Sequence, residues 1–150
     1  MGRIASFDYG RARIGISLSD ERKIIATPLS ILKVPKTLPL LLKELEKALS
    51  PYAPFDLFLI GLPLLLNGKE GEMAQEAKAF GNALTAHFSV PCLFWDERLS
   101  SSQADRLMKQ ASLNRKERSQ KVDSVCSTLI LQNYLEAKLI EHSKASQNLL

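Results

Sequence analysis

Three carboxylates stand where the sequence predicts that a strand ends or a helix begins. Asp8 closes the first predicted strand, Asp96-Glu97 closes the last one, and Asp123 falls in the opening turn of the last predicted helix. In an α/β sheet, the ends of neighbouring parallel strands and the helices that cross them converge on one edge, where sites normally form. We therefore expect these acids to meet at one edge of the sheet.

This group of acids predicts metal chemistry. Three carboxylates within a few ångströms of each other cannot all stay ionised without a cation. Mg²⁺ and Mn²⁺ prefer oxygen ligands, and no His-rich or Cys-x-x-Cys pattern offers a competing zinc site. Two such ions, about 3.5–4 Å apart, support in-line displacement at phosphorus, because one activates water and the other stabilises the leaving oxygen.

Each acid by itself is also explained by structure alone. Asp8 suits a turn at a strand end, Glu97 suits a surface ion pair with Arg98, and the helix dipole favours Asp123 in a first helical turn. The prediction of a site therefore depends on the combination of the acids and on the cations near them.

The turn after Asp8 is basic and contains a glycine. Arg11 and Arg13 follow Gly10, so the N–H groups of the turn and the two guanidinium forks are suited to phosphate. Surface arginines in glycine-containing hairpin turns are also common without any ligand.

The positive charge of the chain is concentrated in one segment. Residues 98–121 carry seven cations and two anions, a net charge of +5, so the remaining residues have a net charge of −1 within a total of +4. The cations of this basic segment are Arg98, Arg106, Lys109, Arg115, Lys116, Arg118 and Lys121. Although such a run is often only a solvated face, its position between two of the acids favours a nucleic-acid track.

The spacing of apolar residues predicts the element order β-β-β-α-β-α-β-α-α. The predicted strands cover residues 3–9, 14–20, 23–32, 55–61 and 90–95, and the predicted helices cover residues 37–50, 70–88, 101–110 and 119–140. Hairpins followed by crossovers predict an α/β fold: a mixed five-stranded sheet, made of an antiparallel meander and parallel strands, with helices on both faces. We expect one domain over residues 1–150, with a polar tail from about residue 141.

The composition excludes several classes of protein. With 45% apolar and 24% charged residues, the chain has enough apolar surface to fold, so intrinsic disorder is excluded as its main state. The only two cysteines, Cys92 and Cys126, are too few for a disulfide scaffold, and Cys126 lies on a predicted buried stripe. No stretch predicts a signal peptide or a membrane span, so we expect a cytoplasmic protein.

Four motifs of this chain resemble those of the YqgF/RuvX family, in the same order from about residue 3 to 140. They are Phe7-Asp8-Tyr9-Gly10-Arg11-Ala12-Arg13-Ile14-Gly15-Ile16 with Ser19-Asp20, Gly61-Leu62-Pro63 with Asn67-Gly68, Asp96-Glu97-Arg98-Leu99-Ser100-Ser101, and Lys121-Val122-Asp123-Ser124. The resemblance implies a ribonuclease H-like fold and makes Asp8, Glu97 and Asp123 the metal-binding carboxylates. Serines stand at 100 and 101 where threonines are usual in the family, which keeps the hydroxyl groups.

The family is named for its likeness to RuvC-type Holliday-junction resolvases, and its bacterial members are described as candidate nucleases that mature the precursor of small-subunit rRNA. The resemblance implies the same activity here, and the three carboxylates predict two Mg²⁺ or Mn²⁺ ions as cofactor. Since successive strand residues face opposite ways, only one of Asp96 and Glu97 reaches the metal easily, and we expect Glu97.

The resulting expectation is a metal-dependent nuclease for structured nucleic acid, RNA rather than DNA, with ribosomal association as a further possibility. The expected phosphate-binding residues are Arg11, Arg13, Arg98, Arg115, Lys116, Arg118 and Lys121. The alternatives are a Holliday-junction resolvase acting on branched DNA and a non-catalytic RNA-binding or ribosome-assembly factor. A two-lobed sugar kinase also has Asp-x-Gly after its first strand, but it needs two such domains and 150 residues supply one.

Overall fold

Five strands form one mixed sheet in the order β3-β2-β1-β4-β5. The computed structural model describes residues 2–62, 70–96 and 126–139. The strands are Arg3–Tyr9 (β1), Arg13–Ser19 (β2), Ala26–Lys33 (β3), Phe55–Leu62 (β4) and Cys92–Asp96 (β5). The helices are Leu38–Leu49 (α1), Glu72–Phe88 (α2) and the helical residues 126–139 (α3), and a 3-10 turn, Ser50–Tyr52, follows α1.

The pairing of the strands confirms the predicted α/β class. β1, β2 and β3 pair antiparallel as a meander, whereas β4 lies parallel to β1 and β5 lies parallel to β4. Crossovers through α1 and α2 allow the parallel pairs, because parallel neighbours cannot be joined by a short hairpin. The predicted helix over residues 101–110 lies outside the described residues. Within the described ranges, no helix is long and apolar enough to span a bilayer.

Side chains of β1 alternate between two separate cores. Ala5, Phe7 and Tyr9 face the core formed with α1 and α2, whereas Ile4 packs in the core formed with α3. Ser6 points to the α3 side as well, since its hydroxyl bonds to Ser127 of that helix. Successive strand residues point to opposite faces. β1 therefore contributes side chains to both cores.

The larger core lies between the sheet and helices α1 and α2. Phe7 is its centre: its ring meets Phe58 edge to face at 5.4 Å and Phe80 at 5.7 Å between centroids. Apolar residues that recur at helical spacing in both helices supply the other side of this core, with Leu45 and Leu84 fully buried. Leu38 shares this spacing, but as the first residue of α1 it is 48% exposed.

The third strand begins later than predicted. Ile24 and Ile25 precede β3 and are exposed. Their backbone N–H groups donate to the Asp20 carboxylate at 2.7 and 3.0 Å, which fixes both residues in the turn. The same two hydrogen bonds lower the pKa of Asp20. This capped turn overrides the β propensity of two isoleucines.

The smaller core lies between the opposite face of the sheet and α3. Ile130 and Leu131 are fully buried there, and Trp95 of β5 meets Tyr134 edge to face at 5.5 Å. Cys126, at the start of the described part of α3, is 1% exposed, so the prediction that it is a core residue is confirmed.

A buried cluster of hydroxyl groups joins β1 and β2 to α3. The Ser6 hydroxyl donates to the carbonyl oxygen of Ser127 at 2.7 Å. The Ser17 hydroxyl lies 2.7 Å from the hydroxyl of Ser127 and 2.8 Å from that of Thr128. Ser6, Ser17 and Ser127 are fully buried. Because hydrogen bonds are directional, this hydroxyl cluster fixes the position of the helix along the strands.

We predict that Gly81→Ala destabilises the protein, although alanine is the better helix former. A Cβ at residue 81 would lie 2.8 Å from two ring atoms of Phe94 and 3.3 Å from Ile60, which is overpacking. We expect a loss of about 1 kcal/mol in the free energy of unfolding, measured by urea denaturation. The control Asn82→Ala, exposed on the same helix, should gain roughly half a kcal/mol; equal effects of the two changes would contradict the packing argument.

Ser17→Ala should destabilise the protein by about 1–3 kcal/mol, because it removes one buried and one partly buried hydrogen bond to α3. The matched control is Ser30→Ala on β3. The Ser30 hydroxyl is also buried, but it has no hydrogen-bond partner among the described residues. Its removal should be neutral or stabilising. Thermal unfolding measures the stability of both variants. A similar loss of stability in both would contradict the role given to the hydroxyl cluster.

Candidate functional site

Asp8 lies at the edge of the sheet where the parallel strands end. In the register of these strands Phe7 pairs with Ile60, and Leu62 pairs with Asp96 at the end of β5. The ends of β1, β4 and β5 therefore meet at one edge, as the element order predicts. Asp8 is half-buried there and, two residues after Ser6, it is on the α3 face of the sheet.

Asp96 occupies the other face of the same edge. Phe94 packs in the core with α1 and α2, and Trp95 packs in the core with α3. Alternation along β5 then assigns Asp96 to the α1 and α2 face, opposite to Asp8. The alternation thus places these two acids on opposite faces of the sheet.

Several predicted site residues lie outside the described residues. They are Glu97, Asp123, Arg98, Arg115, Lys116, Arg118 and Lys121. The same holds for the leucine-rich loop after β4 and for the serines at 100–102. Asp8, Arg11 and Arg13 are the predicted site residues that the structure places.

Arg11 is held by two glutamates of α2. Its Nε donates to Glu76 at 2.9 Å, and its Nη2 lies 3.4 Å from Glu72. These carboxylates raise the pKa of Arg11, with the hydrogen bond to Glu76 as the largest cause. The guanidinium was predicted to bind phosphate directly, whereas in this structure it crosslinks the β1–β2 turn to α2.

The glutamates that hold Arg11 were not predicted from the sequence. Glu72 and Glu76 are four residues apart in the first part of α2, a spacing that places both on one helical face. That spacing is the signal in the sequence, but it does not identify the partner, because Arg11 is 61 and 65 residues away.

Gly10 allows the turn between β1 and β2 to close tightly. A Cβ at this residue would lie 2.8 Å from the carbonyl oxygen of Arg13. The next backbone contact, from the N–H of Val34 to the carbonyl oxygen of Ala12 at 2.9 Å, ties the turn to the end of β3. Asp8 is thus followed by a compact turn, and the two arginines extend from a fixed backbone.

A small pocket that Tyr9 lines lies on the α1 and α2 side of the same edge. The pocket has a volume of about 200 Å³, and its lining residues are Tyr9, Leu38, Leu41, Glu76, Ala79 and Phe80. The Tyr9 ring is tilted by 32° over Phe80 with 5.1 Å between centroids. Burial raises the pKa of the Tyr9 phenol, and the charge of Glu76 raises it further. The phenol is therefore a neutral hydrogen-bond donor at physiological pH.

The described residues at the Asp8 edge fit a hard cation. Asp8 offers oxygen, the donor that Mg²⁺ and Mn²⁺ prefer. Two of the softer donors among the described residues are engaged elsewhere: Cys92 donates to the carbonyl oxygen of Gly81 at 3.0 Å, and His87 lies 2.7 Å from Glu46. Within residues 2–62, 70–96 and 126–139, no three His, Cys, Asp or Glu side chains are grouped to hold a metal.

Comparison of the sequence with known proteins gives consistent matches. A protein of Protochlamydia amoebophila named "Putative pre-16S rRNA nuclease" is 38% identical over 141 residues, which cover 91% of this chain and 94% of that protein. A protein of Rhodobacter capsulatus with the same name is 39% identical over 136 residues, which cover 91% of this chain and 84% of that protein.

Solved structures share the fold at low sequence identity. T. thermophilus RuvC in complex with a Holliday junction superposes with a TM-score of 0.57 at 16% identity, over 93% of this chain and 96% of RuvC. The Fowlpox virus resolvase, solved with Holliday junction DNA, gives a TM-score of 0.54 at 16% identity, over 91% and 99%. These neighbours confirm the predicted ribonuclease H-like architecture.

The family profile described as "RuvX: Holliday junction resolvase" matches residues 2–137 of this chain. This match covers all four motifs, and it extends into α3 as far as residue 137. Together with relatives at 38% and 39% identity over most of the chain, it confirms the resemblance that the motifs indicated. The chain belongs to the RuvX family.

Proposed function

We propose that the protein is a divalent-metal-dependent nuclease that cleaves phosphodiester bonds in the precursor of small-subunit rRNA. The observation that carries this proposal is the position of Asp8, half-buried at the edge where three parallel strands end, in a chain of the RuvX family. Relatives named for pre-16S rRNA support RNA as the substrate.

The geometry of β5 supports Glu97 rather than Asp96 as the second carboxylate. Trp95 is on the α3 face, which is also the face of Asp8. Residue 97 follows Trp95 by two positions, so a continued strand pleat would return it to that face. Asp96 faces the other core and would have to reach around the sheet edge.

The packing of α3 supports Asp123 as the third carboxylate. α3 runs antiparallel to β1, because Ser127 contacts Ser6 whereas Leu135, further along the helix, lies in one cluster with Ile4. The N-terminal direction of α3 therefore points toward Asp8.

The distances along the two elements also agree. Asp123 precedes Ser127 by four residues, about one helical turn with a rise of 5.4 Å. Asp8 follows Ser6 by two strand residues, roughly 6.6 Å. In the proposed site, one further helical turn before Ser127 would bring Asp123 beside Asp8.

The protein's own groups have distinct roles in this proposal. The three carboxylates hold two Mg²⁺ or Mn²⁺ ions, which when bound supply an activated water and stabilise the leaving oxygen. Arg13 and Arg98 hold the phosphates next to the scissile bond. Arg11 contributes there through the guanidinium donors that Glu72 and Glu76 do not use.

The basic segment carries the longer-range affinity in this proposal. Arg115, Lys116, Arg118 and Lys121 follow the backbone of the RNA beside the acidic site. Contacts to phosphate give affinity and orientation without reading sequence, so structured RNA is recognised by its shape. Cytoplasmic action during ribosome assembly agrees with the two free cysteines, Cys92 and Cys126.

Branched DNA is the second candidate substrate, because the family profile is described as a Holliday junction resolvase. The same carboxylates would serve both substrates, since the chemistry at phosphorus is the same. Parallel cleavage assays on a pre-16S rRNA fragment and on a four-way DNA junction, with and without Mn²⁺, distinguish the two.

Asp8→Asn should lower the rate of cleavage of the rRNA precursor at least about a hundredfold, because it weakens a direct metal ligand. The fold should persist, since the change is isosteric, and thermal unfolding and circular dichroism check this. The matched control is Asp96→Asn, the same substitution at the same sheet edge but on the opposite face. Cleavage by that variant should stay within about threefold of wild type.

The comparison of these two variants also tests the ligand assignment. An Asp8→Asn protein as active as wild type would contradict the metal mechanism. A large loss in Asp96→Asn with a small loss in Glu97→Gln would exchange the roles of the two adjacent acids.

Binding of precursor RNA should weaken steeply with salt. For about five phosphate contacts, log affinity falls against log salt with a slope of roughly −4 to −5. The double variant Lys116→Ala/Arg118→Ala should make this slope shallower by about 2, whereas Lys43→Ala/Lys47→Ala on α1 should leave it unchanged. Fluorescence anisotropy at several salt concentrations measures both, and a flat response in the wild type would contradict nucleic-acid binding.

Metal chelation separates the nuclease from a non-catalytic assembly factor. Chelation should abolish cleavage while binding to the basic segment persists, because the two depend on different residues. A protein that binds precursor RNA but never cuts it, with or without Mn²⁺, would instead be an assembly factor.

A further inference from the structure

The pocket at Tyr9 lies one residue from Asp8 and has no part in the proposed metal chemistry. Asp8 and Tyr9 are the last two residues of β1, and alternation points them to opposite faces of the same edge. A ligand that spans the end of β1 can therefore contact both Asp8 and this pocket. The inference below rests on the proposed function.

The walls of the pocket are suited to a flat, unsaturated ring. The Tyr9 ring and the side chains of Leu38 and Leu41 form apolar walls, and Phe80 lies behind Tyr9. Leu38 is 48% exposed, so this wall of the pocket is accessible from solvent. Aromatic and aliphatic walls of this kind stack unpaired bases in RNA-binding proteins.

One carboxylate gives the pocket polarity. Glu76 is in the lining, and its oxygens accept hydrogen bonds from Arg11 Nε at 2.9 and 3.3 Å. Each carboxylate oxygen has two acceptor positions, so Glu76 retains capacity for an amino group of a ligand. Arg11 neutralises the negative charge of Glu76, so this carboxylate can lie next to the phosphates of an RNA without strong repulsion.

The volume of the pocket selects the size of the ligand. About 200 Å³ is less than the roughly 300–1,000 Å³ of pockets that hold drug-sized ligands, and a whole nucleoside triphosphate does not fit. A single nucleobase does fit. Its sugar and phosphate would then remain outside, at the edge of the sheet.

We propose that this pocket, formed by Tyr9, Leu38, Leu41, Glu76, Ala79 and Phe80, binds one unpaired base of the RNA substrate next to the scissile phosphate. The nucleotide crosses the end of β1, with its base in the pocket on one face and its phosphate at Asp8 on the other. Glu76 accepts a hydrogen bond from the exocyclic amino group of that base. The site thus selects a single-stranded position for cleavage.

The best test fills the pocket without disturbing the core. Replacement of Tyr9 would remove packing against Phe80, so a loss of activity would have two explanations. Ala79 is exposed on α2 and lines the pocket, so Ala79→Leu blocks it while keeping every core side chain. Ala86→Leu is the matched control, because Ala86 is exposed on the same helix two turns further along and does not line the pocket.

The substrate is varied together with the protein. In a precursor rRNA fragment, each nucleotide flanking the cleavage site is replaced in turn by an abasic ribonucleotide, which keeps the phosphates and removes the base. At one position the wild type should lose about tenfold in kcat/KM, as expected for one stacked base. Ala79→Leu should lose about the same factor on unmodified RNA and should be insensitive to the abasic change, whereas Ala86→Leu should behave as wild type.

A second measurement does not depend on cleavage. 2-Aminopurine, placed in turn at the same positions, should change its fluorescence on binding to Asp8→Asn, and this change should be absent in Asp8→Asn/Ala79→Leu. If the wild type cuts but every abasic substrate and both leucine variants behave alike, the pocket proposal is overturned and the nuclease proposal stands. If the wild type cuts nothing, the nuclease proposal fails, and an unchanged 2-aminopurine signal overturns the pocket proposal separately.

Discussion

The alternation of side chains along β1 is the constraint on which the rest of this structure depends. Phe7 joins the sheet to α1 and α2, and Ser6 joins it to α3, so one strand connects both helical layers. Asp8 and Tyr9 continue the same alternation to the end of the strand. At this edge the α3 side therefore carries Asp8, whereas the α1 and α2 side carries Tyr9 and the pocket that it lines.

Much of this fold is predictable from the sequence because its signals are local. The isoleucines of β2 alternate with small residues, and the leucines of α1 recur at helical spacing, so both elements and the faces that they turn to the larger core follow from periodicity. Asp8 is predictable for the same reason, since its place at a strand end follows from the pattern of its neighbours. The late start of β3 escaped prediction, because the Asp20 carboxylate caps Ile24 and Ile25 through contacts that apolar periodicity does not report.

The contacts that escape prediction at the site join distant parts of the chain. Arg11 meets Glu76 across 65 residues, and Ser17 meets Ser127 across 110. Nothing in the local sequence around Arg11 distinguishes a phosphate ligand from an ion-pair partner, because both need the same guanidinium. The hydroxyl cluster could not be predicted from the sequence either. A serine in a strand indicates a small side chain, but the sequence does not show which distant group its hydroxyl bonds to.

The pleat of β5 also restricts how this family can vary in length. Trp95 and Asp96 face different cores, so inserting or deleting one residue before them would exchange the face of every residue that follows. In the proposed site, Glu97 would then be directed to the α1 and α2 side instead of the α3 side. Length changes in β1 and β5 are tolerable only in steps of two, whereas the connections between elements carry no such parity. Natural insertions should therefore accumulate in the loops and avoid both strands.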